Sequence, residues 1–164
     1  PSATVEDTKP DEFRALLGRH VLAVCRATQA ALPWMRRQGR GHIVNVSSIV
    51  GRRGVPYRGA YSASKFALGG FSEALRVELA GTGISVSLVY PIGTATEFHE
   101  VEARRAGPGP HGPIQSSEHV ARCILRCVRR PRAEVYPFRP SRILSLASVI
   151  APRLVDLGLR RLLR

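Results

Sequence analysis

The chain has 164 residues, enough for one domain with a real core, and carries 25 Lys+Arg against 12 Asp+Glu, a net charge of +13. That charge raises the question of a nucleic-acid or anionic-membrane partner, but the arginines are scattered and no aromatic residues interleave with them as a base-stacking surface requires. Three cysteines give no disulfide framework, the polar and acidic opening is no secretory signal, and no apolar run reaches the length of a membrane span, so a soluble, cytoplasmic protein of a reducing compartment is expected.

A long helix is expected first, from Asp11 to about residue 38. Asp11 can cap it after Pro10, apolar residues recur at Phe13, Leu16, Leu17, Val21, Val24 and Ala27, Pro33 can kink it, and Gly39 ends it. "HIVNVSS" then reads as a strand buried on both faces, and "IVGRRGVPYRG" as a glycine-rich loop. "AYSASKFALGGFSEALRVELAGTG" is a second long helix stopped by Gly81 and Gly83, followed by the buried strand "ISVSLVYP". The next stretch begins as a turn, has room for a short helix and passes into a Gly/Pro loop. "SSEHVARCILRCVRR" is a serine-capped helix with Glu118 in its first turn, "AEVYP" is a short third strand, and residues 142–164 close as an amphipathic basic helix broken at Pro152. Helices alternating with buried strands specify an α/β class with a parallel sheet, whose ligands bind beyond the carboxyl ends of the strands. Ser47 and Ser48 lie at one such end and "PIGTAT" at the next.

Chemistry concentrates at "YSASK". Tyr61 and Lys65 are four apart and share a helix face, and Lys65 is one of only two lysines in an arginine-rich chain. A cation beside a phenol stabilises the phenolate, so the tyrosine becomes able to exchange a proton with an alcohol or carbonyl oxygen near neutral pH. Ser48 can donate a hydrogen bond to that same oxygen, and Lys65 can also hold a polyol such as a ribose. A bare YxxxK is more often an ordinary half-exposed helix pair. Here it directly follows a strand ending in "NVSS" and a glycine-rich loop, which weakens the ordinary reading.

"GHIVNVSSIVG", "YSASKFAL", "EALRVEL" and "PIGTATEF", in this order and spacing, resemble the short-chain dehydrogenase/reductase family from about Asp11 to Tyr136. The resemblance implies a Rossmann-type doubly wound parallel sheet, and hydride transfer between an alcohol and a ketone or aldehyde with NAD or NADP. It implies Tyr61 as proton donor or acceptor, Lys65 as ribose ligand and modulator of Tyr61, and Ser48, thirteen residues before the tyrosine, as the group orienting the substrate oxygen. Ser47 is the less favoured of the pair. Pro91, Thr94 and Thr96 match the segment that meets the cofactor.

Three departures stand beside the resemblance. No G-x-x-x-G-x-G turn precedes residue 41 and the "NNAG" strand is absent, so only the second half of such a domain is expected, as a fragment or truncated product. Counting back from Ser48 puts His20 where the family carries a relay asparagine. A histidine able to relay protons and a neutral replacement with the relay lost are both open readings. Ile92 stands where the family has a glycine after Pro91, with Gly93 next to it.

His119, Cys123 and Cys127 follow at i, i+4 and i+8, a conceivable metal face. With Val120, Ile124 and Val128 interleaved, buried thiols in a core seam are the better reading, and no metal is expected. Residues 1–141 are thus expected to form the catalytic portion and 142–164 a tail. That tail could lie on an anionic membrane, cover the substrate cleft or pack on a partner subunit. A hydrophobic carbonyl or alcohol substrate suits it, and the resemblance implies homo-oligomers through the two long helices. The alternative to an oxidoreductase is a cofactor-free scaffold or interaction protein.

Overall fold

A computed structural model describes residues 3–96 and 113–162. In chain order these form α1 (Pro10–Leu17), a π-helical segment (Gly18–Leu22), α2 (Ala23–Gln38), β1 (Gly41–Val46), a 3-10 turn (Ile49–Gly51) and α3 (Gly59–Glu78). Then follow β2 (Ile84–Val89), β3 (Gly93–Ala95), β4 (Ile114–Ser116), α4 (Ser117–Arg129), β5 (Glu134–Val135), α5 (Pro140–Ile150) and α6 (Pro152–Leu162).

β1, β2 and β5 make a parallel sheet in the order β1-β2-β5, with Gly41 opposite Ile84 and Val46 opposite Val89. Alternation along the strands divides its faces. Ile43, Ile84 and Val86 pack with Leu32 and Met35 of α2 and Phe71 and Leu75 of α3, joined by Leu79, in the main apolar core. On the same face the buried Asn45 amide donates to Ser72 Oγ of α3 at 2.8 Å. The opposite face carries His42, which contacts Ser87 Oγ at 2.7 Å and the backbone of Val128 in α4. Helices thus cover both faces of a parallel sheet, as the α/β reading requires.

The helix ends follow local chemistry. Gly39 closes α2 with φ 65, and Gly81 and Gly83 turn the chain after α3 with φ 78 each. At Gly83 a Cβ would sit 2.1 Å from Gly39 O, so the two turns touch through backbone. Ser116 caps α4 by accepting from His119 N at 3.2 Å. Asp11 is not a cap. Pro10 already occupies the first turn, Lys9 holds the cap position without a side-chain bond, and Asp11 accepts from Arg14 at 2.8 Å instead.

Other expectations need correction. The first long helix is interrupted by the π segment, whereas Pro33 sits inside α2 without ending it. β1 is only partly buried, with Val46 exposed, because among the described residues it pairs on one side only. β3 and β4 pair in parallel where a turn was expected after β2. The short helix and Gly/Pro loop expected beyond Thr96 lie outside the described residues. The tail breaks at Pro152, as read from the sequence.

Candidate active site

Two adjoining strand ends and the start of α3 build the site. Past β1 the backbone stays zipped to β2: Ser47 N donates to Val89 O and Ile49 N to Pro91 O, both at 2.9 Å. Ser47 and Ser48 are therefore held beside Pro91, at the carboxyl end of the sheet where ligands of this fold class bind. Ser47 Oγ is buried and donates to Lys65 O at 3.1 Å, so this hydroxyl ties strand to helix. Ser48 Oγ accepts from Val50 N at 3.4 Å, a weak bond that leaves its proton for another acceptor. Gly51 lets the turn run against α3, since a Cβ there would lie 2.7 Å from Ser47 Oγ and 2.8 Å from Lys65 O.

Tyr61 and Lys65 project from successive turns of α3. Lys65 Nζ lies 5.7 Å from the Tyr61 ring centroid and donates to Val46 O at 3.2 Å. The ammonium is thus held between the strand end and the phenol. Burial pushes its pKa below the ordinary lysine range.

His20 belongs to the same cluster. Its ring meets Tyr61 edge-on at 5.5 Å between centroids, and its Nδ1 lies 2.9 Å from Ser64 Oγ. The fully buried Ser64 hydroxyl gives its one proton to Tyr61 O at 2.7 Å. It can therefore only accept from His20, so Nδ1 carries the imidazole proton and Nε2 keeps its lone pair. Burial first, then the charges of Lys65 and Arg19, lower the pKa of His20 to about 4 and keep the ring neutral at pH 7. The π segment that aims His20 and the Ser64 partner, 44 residues away, were not visible in the sequence. The only signal was the small residue three after Tyr61.

The remaining candidates sit at the margin. Thr94 Oγ1 donates to Ile92 O at 3.0 Å and accepts from Gln115 at 3.3 Å, and Thr96 Oγ1 donates to Thr94 O at 3.3 Å. They belong to the β3 segment just beyond Pro91, where Thr96 is exposed. Just past the carboxyl end of β5, His119 Nε2 contacts Pro137 O at 3.0 Å, so that nitrogen is a donor and no ligand. Cys127 is buried as expected, while Cys123 is half-buried and accepts from Arg126 at 3.4 Å. No group of three metal-ligating side chains occurs among the described residues.

These residues can hold the nicotinamide-ribose end of a dinucleotide. The donor set fits: a partly buried cation for ribose hydroxyls, with strand-end backbone beside it. The pyrophosphate has no counterpart among the described residues, because no G-x-x-x-G-x-G turn opens a helix there.

A family model described as short chain dehydrogenase matches residues 1–106. The chain is similar to the ketoacyl reductase HetN of Nostoc sp., 33% identical over 124 residues that make up 76% of this chain and 43% of that protein. It is similar to 3-ketodihydrosphingosine reductase of Bacteroides thetaiotaomicron, 46% identical over 88 residues, 54% of this chain and 33% of that protein. A short chain dehydrogenase from Burkholderia cenocepacia, solved in complex with NADP, superimposes with a TM-score of 0.79 at 24% identity, over 94% of this chain and 62% of that one. The chain therefore spans less than two thirds of the length of these relatives. With the parallel sheet, the strand-end serines and the Tyr61–Lys65 pair in the order described, the family match has one meaning: the chain belongs to the short chain dehydrogenase family.

Proposed function

We propose that the chain is the catalytic portion of an NAD(P)-dependent oxidoreductase that interconverts an alcohol and a ketone or aldehyde. The observation that carries this reading is the Lys65 ammonium, held at the strand end by Val46 O and lying one helical turn from Tyr61. Tyr61 gives its phenolic proton to the substrate oxygen during reduction and takes it back during oxidation. Lys65 stabilises the phenolate between those steps and binds ribose hydroxyls. Ser48 donates to the same substrate oxygen and fixes its position.

A bound nicotinamide supplies or receives the hydride. Pro91, Thr94 and Thr96 would hold the nicotinamide from the segment beyond β2. Ile92 in place of glycine would narrow the space there, and the exposed Gly93 would let the backbone adapt. His20, neutral and with Nε2 able to accept, positions the Tyr61 turn through Ser64 and can take a hydrogen bond from a water in the path by which solvent reprotonates the Tyr61 phenolate after reduction. The substrate in this reading is a hydrophobic small-molecule carbonyl or alcohol. Two copies would pair through α1, α2 and α3, where Trp34, Phe66 and Val77 are exposed.

Residues 1–141 form the catalytic portion in this reading. The test is carbonyl-dependent oxidation of NADH or NADPH by the protein in its natural full length. Turnover together with a cofactor-induced rise in melting temperature supports the reading. Neither effect with either cofactor would favour a cofactor-free scaffold.

A further inference from the structure

α5 is built inside out. Ser141, Ser145 and Ser148 recur at helical spacing and are buried, while the aliphatic residues of the same helix face solvent. Each serine hydroxyl donates to a nearby main-chain carbonyl: Ser141 to Phe138 O at 2.6 Å, Ser145 to Ser141 O at 3.0 Å and Ser148 to Leu144 O at 2.8 Å. The buried face is therefore small and self-satisfied. Outside it, Ile143 is 71% exposed, Val149 79% and Ile150 81%, and Leu154 on α6 is 71% exposed. Leu144, Leu146 and Leu157 extend the apolar surface. A helix in contact only with water has the reverse arrangement, and a contiguous apolar face of this kind marks a contact surface.

Charge decides what that contact is. Arg139, Arg142, Arg153, Arg160 and Arg161 are exposed on or beside the same two helices. The one acid among residues 139–162 is Asp156, and it is paired with Arg53. A second copy would bring an equally cationic rim against this one. A nucleic acid would answer the arginines but leave the aliphatic face in water. An anionic bilayer answers both, with headgroups against the arginines and acyl chains against the aliphatic side chains. No helix among the described residues is long and apolar enough to cross a membrane. α5 and α6, of 11 residues each, are suited to lying flat in the interface.

We propose that α5 and α6 form a docking surface for an anionic lipid bilayer. This stands independently of the redox reading. The test is co-sedimentation of the protein in its natural full length with vesicles of equal parts phosphatidylcholine and phosphatidylglycerol, against vesicles of phosphatidylcholine alone. Affinity is expected to be at least about tenfold higher on the mixed vesicles and to fall with added salt. The variant I143S/V149S/I150S/L154S should bind about tenfold more weakly or worse, with unchanged circular dichroism because those side chains are exposed. A second variant, R142Q/R153Q/R160Q, should lose about fivefold per arginine removed.

Equal affinity for both vesicle types, or a serine variant that binds like the parent, overturns the proposal. So does a dimer in analytical ultracentrifugation that the serine variant dissociates while vesicle binding is absent, which would assign the face to a second copy. Binding to duplex DNA at matching affinity, unchanged in the serine variant, would reduce the surface to a general polycation and equally overturn it.

Discussion

Replacing His20 by asparagine should remove a loss of stability that the parent suffers as pH falls from 6.5 toward 4. Burial and the charges of Lys65 and Arg19 hold the folded ring at about 4, against 6.5 for a free imidazole. Above pH 6.5 both folded and unfolded chains carry a neutral ring, and the group contributes no pH dependence. Between 6.5 and 4 the unfolded chain takes up a proton that the folded chain refuses, so stability drops through that window and then levels off. The full displacement corresponds to at most ~3.4 kcal/mol. The ring is only half-buried, and screening by solvent brings the expected loss to roughly 1–2 kcal/mol.

Asparagine is chosen because its amide can still donate to Ser64 Oγ, keeping the bond that steadies the Tyr61 turn. The assay is urea unfolding of parent and variant at intervals from pH 7 to pH 4, read as the difference between their stabilities. His42 is also pushed down by burial, against an opposing hydrogen bond that it gives to the Val128 backbone, but it contributes equally to both proteins and cancels. Parallel curves across the window would refute the argument, because they would mean that the His20 ring protonates as readily folded as unfolded. Nitrogen NMR of the parent should also find the proton on Nδ1.

Gly83→Ala should destabilise the fold by roughly 2–3 kcal/mol, because a φ of 78 and a Cβ 2.1 Å from Gly39 O leave no unstrained arrangement; thermal unfolding reads this, and an unchanged midpoint would contradict it. Lys65→Met should leave the chain folded, since the hydrocarbon stem is kept and a partly buried charge removed, yet lower turnover by about 100-fold or more and weaken cofactor binding. Steady-state kinetics with cofactor titration separates these two effects.

The sequence showed which elements carry the candidate site better than it showed how they are wired together. Gly39, Gly81 and Gly83 mark helix ends because only a residue without a Cβ takes those positive φ values cheaply, and such residues are visible in one dimension. Ser48 follows directly from the end of β1, and Tyr61 and Lys65, four apart on one helix, share a face of α3. The His20–Ser64 bond could not be read that way, since it joins residues 44 apart through a π segment, and one extra residue in a helix leaves the apolar pattern almost unchanged. β3 and β4, three residues each, are too short for any alternation to register. The inverted burial of α5 was hidden for another reason: an amphipathic pattern shows that two faces differ, and not which one points inward.

The central claim is that Tyr61 moves the proton at the substrate oxygen. It is tested most directly by Tyr61→Phe in the natural full-length protein, measuring turnover and the cofactor dissociation constant side by side. Loss of the hydroxyl alone should lower kcat by about 100-fold or more while the dissociation constant stays within about twofold. A phenylalanine variant that turns over at nearly the parental rate would contradict the account.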